Sequence, residues 1–126
     1  MNHVKLLVVS GMVVGLCGCA AKATPTLAGG KPVSHWVENL KNPDPKIRKD
    51  AVEKLGNVGG ADPAAFPAVC GALSDADPKV RCEAILAVVK FDKTAREIIP
   101  RLEVMHRSDV SSQVRDYAGR ALKRLQ

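Results

Sequence analysis

The residues from Asp44 to Gly56, D-P-K-I-R-K-D-A-V-E-K-L-G, return as D-P-K-V-R-C-E-A-I-L-A-V-V from Asp77 to Val89 and, more faintly, as S-S-Q-V-R-D-Y-A-G-R-A-L-K from Ser111 to Lys123. Counted from the first residue of each copy, the spacings are 33 (44 to 77) and 34 (77 to 111). A period this regular marks stacked modules, each too small to bury its apolar face alone. Three units is about the minimum at which stacking encloses a continuous core.

Each position of the unit has a physical job. Asp44, Asp77 and Ser111 are helix N-caps, with side-chain oxygens able to accept from free amides of the first turn. Pro45 and Pro78 follow at the first helical position, where a missing N–H costs nothing. Ile47, Ala51 and Leu55 recur as Val80, Ala84 and Val88 and as Val114, Ala118 and Leu122, an i, i+4, i+8 stripe that predicts one buried helix face. The small middle residue lets a neighbouring helix come close. Arg48, Arg81 and Arg115 flank the stripe and can reach the Asp or Ser cap of an adjoining unit, forming a ladder between repeats. A row of anion-binding arginines is the functional alternative.

This pattern resembles the HEAT repeat, in the short form first associated with phycobilisome lyases, whose second helix typically opens D-P-x-V-R-x-x-A and closes near Leu-Gly. The resemblance covers residues 33–126 and is weakest in the third unit, where Ser111-Ser112 replaces Asp-Pro. There is no T-P-L-H turn of the ankyrin kind and no tetratricopeptide set of Trp, Gly, Tyr and Pro. The resemblance implies an all-α fold, a short right-handed α-solenoid of three helical hairpins whose second helices line the concave surface. It also implies a scaffold or binding module, since lyase activity belongs to a minority of larger members.

Residues 1–18 read as an export signal: Lys5, then an uncharged run from Leu6 to Leu16, too short for the ~20 residues a membrane span needs. Leu16-Cys17-Gly18-Cys19 looks like a bacterial lipobox, and Cys19, preceded by small Gly18, is the expected lipidation site, plain secretory cleavage being the alternative. Ala20, where Asp would favour inner-membrane retention, tilts the expectation toward the outer membrane. Residues 19–32 carry the lipid and a flexible tether rich in Ala, Thr, Gly and Pro, and no stretch shows an alternating strand pattern. Removing 18 of the 126 residues leaves 108, enough for one small domain, 33–126.

Within that domain the first helices carry Val33, Trp36, Val37 and Leu40, then Phe66, Val69, Cys70 and Leu73, then Ile98, Ile99, Leu102 and Met105. Cys70 and Cys82 lie six residues either side of Ala76, at equal height in one hairpin. A disulfide between them is weighed against free thiols, with Cys70 buried and Cys82 partly exposed. The residues matching Cys82, Lys49 and Asp116, are polar, so Cys82 is expected to point outward. His35 and His106 have no second ligand at zinc spacing. Gly56, Gly59 and Gly60 have the capping role of residues after a helix end. With no nucleophile elbow, metalloprotease helix or paired carboxylates, neither enzyme nor cofactor is expected.

The formal charge is +6, and +5 once Lys5 leaves with the signal. Four aromatic side chains, Trp36, Phe66, Phe91 and Tyr117, give few stacking platforms, so nucleic acid is disfavoured against an acidic envelope partner or anionic lipid. Turning the second helices at about 100° per residue from Ile47 puts Ala51 and Leu55 at about 40° and 80° and Lys46, Lys49 and Glu53 on the opposite side. There Leu86 breaks the polar pattern. With Cys82 it makes an apolar spot ringed by Lys46, Lys49, Lys79 and Arg120, the expected contact site. Three readings follow: a membrane-anchored adaptor, an accessory subunit of an envelope enzyme, or a lyase-like enzyme with Cys82 as its sole candidate nucleophile.

Overall fold

A computed structural model describes residues 24–126 of the chain; Cys19 and the export signal lie outside the described residues. A short hairpin, β1 (Leu27–Ala28) and β2 (Lys31–Pro32), precedes six helices: α1 (Val33–Asn39), α2 (Pro45–Val58), α3 (Ala65–Ala72), α4 (Pro78–Val88), α5 (Ile99–Ser108) and α6 (Ser112–Leu125). Short 3-10 turns, Gly59–Ala61, Val89–Phe91 and Thr94–Ile98, join the units. Successive helices pair as three hairpins, and α2, α4 and α6 stack on one another far more closely than α1, α3 and α5 do. The result is a short all-α solenoid.

The helix starts follow the sequence. Asp44 accepts from the Lys46 amide at 2.9 Å, Asp77 from the Lys79 amide at 2.7 Å, and Ser111 from the Val114 amide at 3.4 Å. Ala51, Ala84 and Ala118 have no exposed surface, as expected where helices approach closely. Among the described residues, Leu55, Ile85 and Leu102 are the largest fully buried side chains, each contributing about 1.5–3 kcal/mol of burial.

Four expectations are corrected. Ile47, placed on the buried stripe, is exposed, while its counterparts Val80 and Val114 are fully buried. Those two sit on helices with a unit stacked in front; α2 has only α1 and the β-hairpin, which cover it around Lys54, toward its far end. Cys82 is buried and Cys70 half-buried, the reverse of their expected exposures, and both thiols are free. As the middle second helix, α4 has a neighbour on each side, so even its Cys82 position is covered.

Gly56 lies inside α2 rather than after it, and a β-carbon there would come within 2.7 Å of the Ala87 methyl. It is a contact glycine that brings α2 and α4 together. Finally, the tether expected to run to Pro32 folds from Leu27 onward. Gly29 and Gly30, with φ of 56° and 76°, make the two-residue turn that suits a tight hairpin. The Trp36 indole N–H donates to the Ala28 carbonyl at 2.8 Å, fixing the hairpin on α1.

The arginine ladder is present, with a shifted partner. Arg48 reaches Asp75 through Nε (2.8 Å) and Nη2 (2.9 Å), and Arg81 reaches Asp109 in the same way (3.0 and 2.9 Å). Those acids stand two residues before the caps, because each cap oxygen is already engaged with its helix. Asp75 and Asp109 also accept from the amides of Asp77 and Ser111, closing the turn that enters the helix. Each arginine holds its own turn as well: Nη1 of Arg48 donates to the Asn42 and Pro43 carbonyls, and Nη1 of Arg81 to those of Asp75 and Ala76. Every inter-unit joint in the stack is thus locked by one forked pair.

Candidate protein-interaction surface

On the layer of second helices, Leu86 projects from α4 and is 44% exposed, although its neighbours Ile85 and Ala87 are fully buried. Two grooves flank it. The first, about 220 Å³, runs between α4 and α6 over Leu86, Val89, Tyr117, Ala121 and the stems of Arg120 and Arg124. The second, about 300 Å³, lies among Lys49, Lys79, Cys82, Glu83, Leu86 and Tyr117. Leu86 and Tyr117 form the wall shared by both.

Of the expected contact residues, Lys49, Lys79, Cys82 and Leu86 come together in the second groove, and Arg120 lies across the wall in the first. Lys46 is exposed on α2 and lines neither. Cys82 contributes only a floor, being 6% exposed. Burial pushes its thiol pKa up, against the opposing pull of Arg81, which keeps it a thiol rather than a nucleophilic thiolate. The basic ring is also less uniform than expected. Arg120 pairs with Asp116 at 2.7 Å while its guanidinium lies 5.9 Å from the Tyr117 ring centre. Glu83 stands among the lysines, its pKa raised by burial first and by the Glu53 charge second, with Lys49 and Lys90 opposing.

Tyr117 is the residue that sequence reasoning missed. Its copies in the other units are Asp50 and Glu83, so the position is half-buried at best and polar elsewhere, which is the signal that its ring is not core. Among the described residues no three His, Cys, Asp or Glu side chains are grouped as metal ligands.

A family model for HEAT repeats matches residues 33–123, nearly the whole of the stack. The chain is a HEAT-repeat protein. No curated protein matches it in a sequence comparison. Its HEAT repeats point to a protein-interaction module.

Proposed function

We propose that this HEAT-repeat protein is a non-catalytic adaptor of the bacterial cell envelope, exported, lipidated on Cys19 and held on the membrane, with the outer membrane favoured. It binds a protein partner at the Leu86–Tyr117 ridge. The observation that carries this reading is a leucine left 44% exposed between two grooves in the most enclosed helix of the stack. Exposed apolar side chains flanked by aromatic and arginine residues have the composition of interface cores. Lys49 and Lys79 favour a partner with an acidic rim, and the proposed adaptor uses no nucleic acid, cofactor or small-molecule substrate.

The adaptor could equally hold an enzyme at the membrane as its accessory subunit. A lyase-like activity is disfavoured by the buried, pKa-raised thiol of Cys82. Anchoring is tested by fractionation. Since one acyl chain binds membranes only marginally, stable attachment implies several chains on Cys19. Cys19→Ala should shift the protein from the membrane pellet to the soluble fraction; a mutant that still pellets, beside a wild type without a lipid mass increment, would refute the anchor.

A further inference from the structure

Two residues of α2 show which way the first unit points. A β-carbon on Gly56 would meet the Ala87 methyl of α4, whereas the Lys54 stem lies 3.1 Å from where a β-carbon on Gly29 of the hairpin would sit. Positions two apart on a helix are separated by about 200°, so the hairpin and α4 lie on opposite sides of α2. The hairpin therefore covers the free end of the first unit. Ile47, seven residues before Lys54 and so within about 20° of it, faces the same way and is 38% exposed. On the hairpin, Leu27 is 57% exposed, and Lys31 is exposed and pairs with no acid among the described residues. Lys54 is engaged with Asp50 at 3.3 Å and adds no free charge here. From Cys19 to Val37 the chain carries Lys22 and Lys31 and no Asp or Glu.

We propose that this free end is the surface by which the stack seats on an anionic bilayer, Leu27 entering the headgroup layer and Lys31 meeting the lipid phosphates. The inference rests on lipidation of Cys19 as proposed above and adds which face of the molecule meets the membrane. Tether length carries it. The eight links from Cys19 to Leu27 span about 15 Å as a coil and at most about 28 Å when stretched, while a domain of this size is roughly 30 Å across. Turning the third unit to the bilayer would lift Leu27 by about the full width of the domain, more than the tether can span. Tethering also makes the contact intramolecular, so one leucine and two lysines suffice to hold an orientation although they are too weak to bind from solution. The segment is built for contact rather than left loose: Trp36 fixes the hairpin through the Ala28 carbonyl, and Ala28 is buried beneath it. With the first unit down, the Leu86 ridge faces sideways and stays open to a protein partner.

The test is paramagnetic broadening of amide NMR signals in the lipidated chain, reconstituted in nanodiscs of phosphatidylglycerol and phosphatidylcholine doped with a gadolinium-chelate lipid. Amides of Gly29, Gly30 and Lys31 should broaden several-fold more than those of Val110 and Ser111 in the third unit. Leu27→Asp/Lys31→Glu should lower that contrast by about half or more, with the Trp36 indole N–H signal in place to show that the hairpin still docks; if that signal moves, the wild-type pattern decides alone. Even broadening across the units of a lipidated chain would overturn the seat while leaving the anchor intact, as would a contrast unmoved by the docked double variant or by removal of phosphatidylglycerol. A chain that carries no lipid on Cys19 would overturn anchor and seat together. Hairpin signals that shift with protein concentration in lipid-free Cys19→Ala would give this end to a second copy instead.

Discussion

Arg81 grips Asp109 across the joint between the second and third units, Nε to one carboxylate oxygen at 3.0 Å and Nη2 to the other at 2.9 Å, with both side chains about nine-tenths buried. The pair joins positions far apart in sequence, so it contributes to stacking rather than to any one hairpin. Removing one partner leaves an uncompensated buried charge, which is worse than lacking the pair altogether. Asp109→Ala should therefore destabilise the fold by about 2–3 kcal/mol, and Arg81→Leu/Asp109→Leu should cost less than the sum of the single changes. Chemical denaturation of wild type, Asp109→Ala, the two single leucine variants and the double variant checks this; additive losses would mean the pair is not coupled.

Asp75 and Asp109 also set the acid limit. Burial alone pushes both carboxyls up, but the forked hydrogen bonds from Arg48 and Arg81, the turn amides of Asp77 and Ser111 and the nearby positive charges together hold them below the usual range. In the unfolded chain they titrate near pH 3.9. Their stabilisation is thus complete above about that pH and is lost as pH falls through the lower folded values, because the unfolded chain takes up protons first. Glu83, with a raised pKa, acts in the opposite sense. The melting temperature should drop steeply below about pH 4, and Asp75→Asn/Asp109→Asn should flatten that drop. An unchanged acid limb in the double variant would contradict the ladder's role.

Close approach of α2 to α4 makes a packing prediction. Ala84→Leu overpacks a site with no exposed surface and should cost about 1–3 kcal/mol, read as a lower melting temperature. Gly56→Ala gains helix propensity of about 1 kcal/mol, yet its methyl would meet the Ala87 methyl at 2.7 Å and the Ala87 α-carbon at 3.0 Å. It should still destabilise, and Ala87→Gly should rescue part of the loss. A stabilised Gly56→Ala would show that the two helices can separate at no cost.

Most of the fold is legible in the sequence because it is local chemistry repeated: caps at Asp44, Asp77 and Ser111, proline after the first two, and apolar residues at helical spacing. Comparing equivalent positions fails where units are not equivalent. Ile47 is exposed and Cys82 buried because the first unit lacks a neighbour that the middle one has on both sides. The same comparison could not see that Asp75, rather than the cap Asp77, receives Arg48, since both are acids of one turn. The β-hairpin was hidden by its brevity, though Gly29-Gly30 beside a tryptophan needing an acceptor was a usable sign. At the site, Leu86 stood out against Glu53 and Arg120, while Tyr117 became visible only once α4 and α6 were placed side by side.

Binding through the Leu86 ridge is tested most directly by capture from solubilised membranes with wild type, Leu86→Asp and, as a control on another exposed apolar residue, Val104→Asp, which lies on α5 and is 54% exposed. Each bait is first checked by circular dichroism and melting. Leu86→Asp should fold with a melting temperature within a few degrees of wild type, as expected for an exposed position, and should lose the partner that wild type and Val104→Asp both retain. Undiminished capture by a folded Leu86→Asp, or its unfolding, would contradict the ridge as the binding surface.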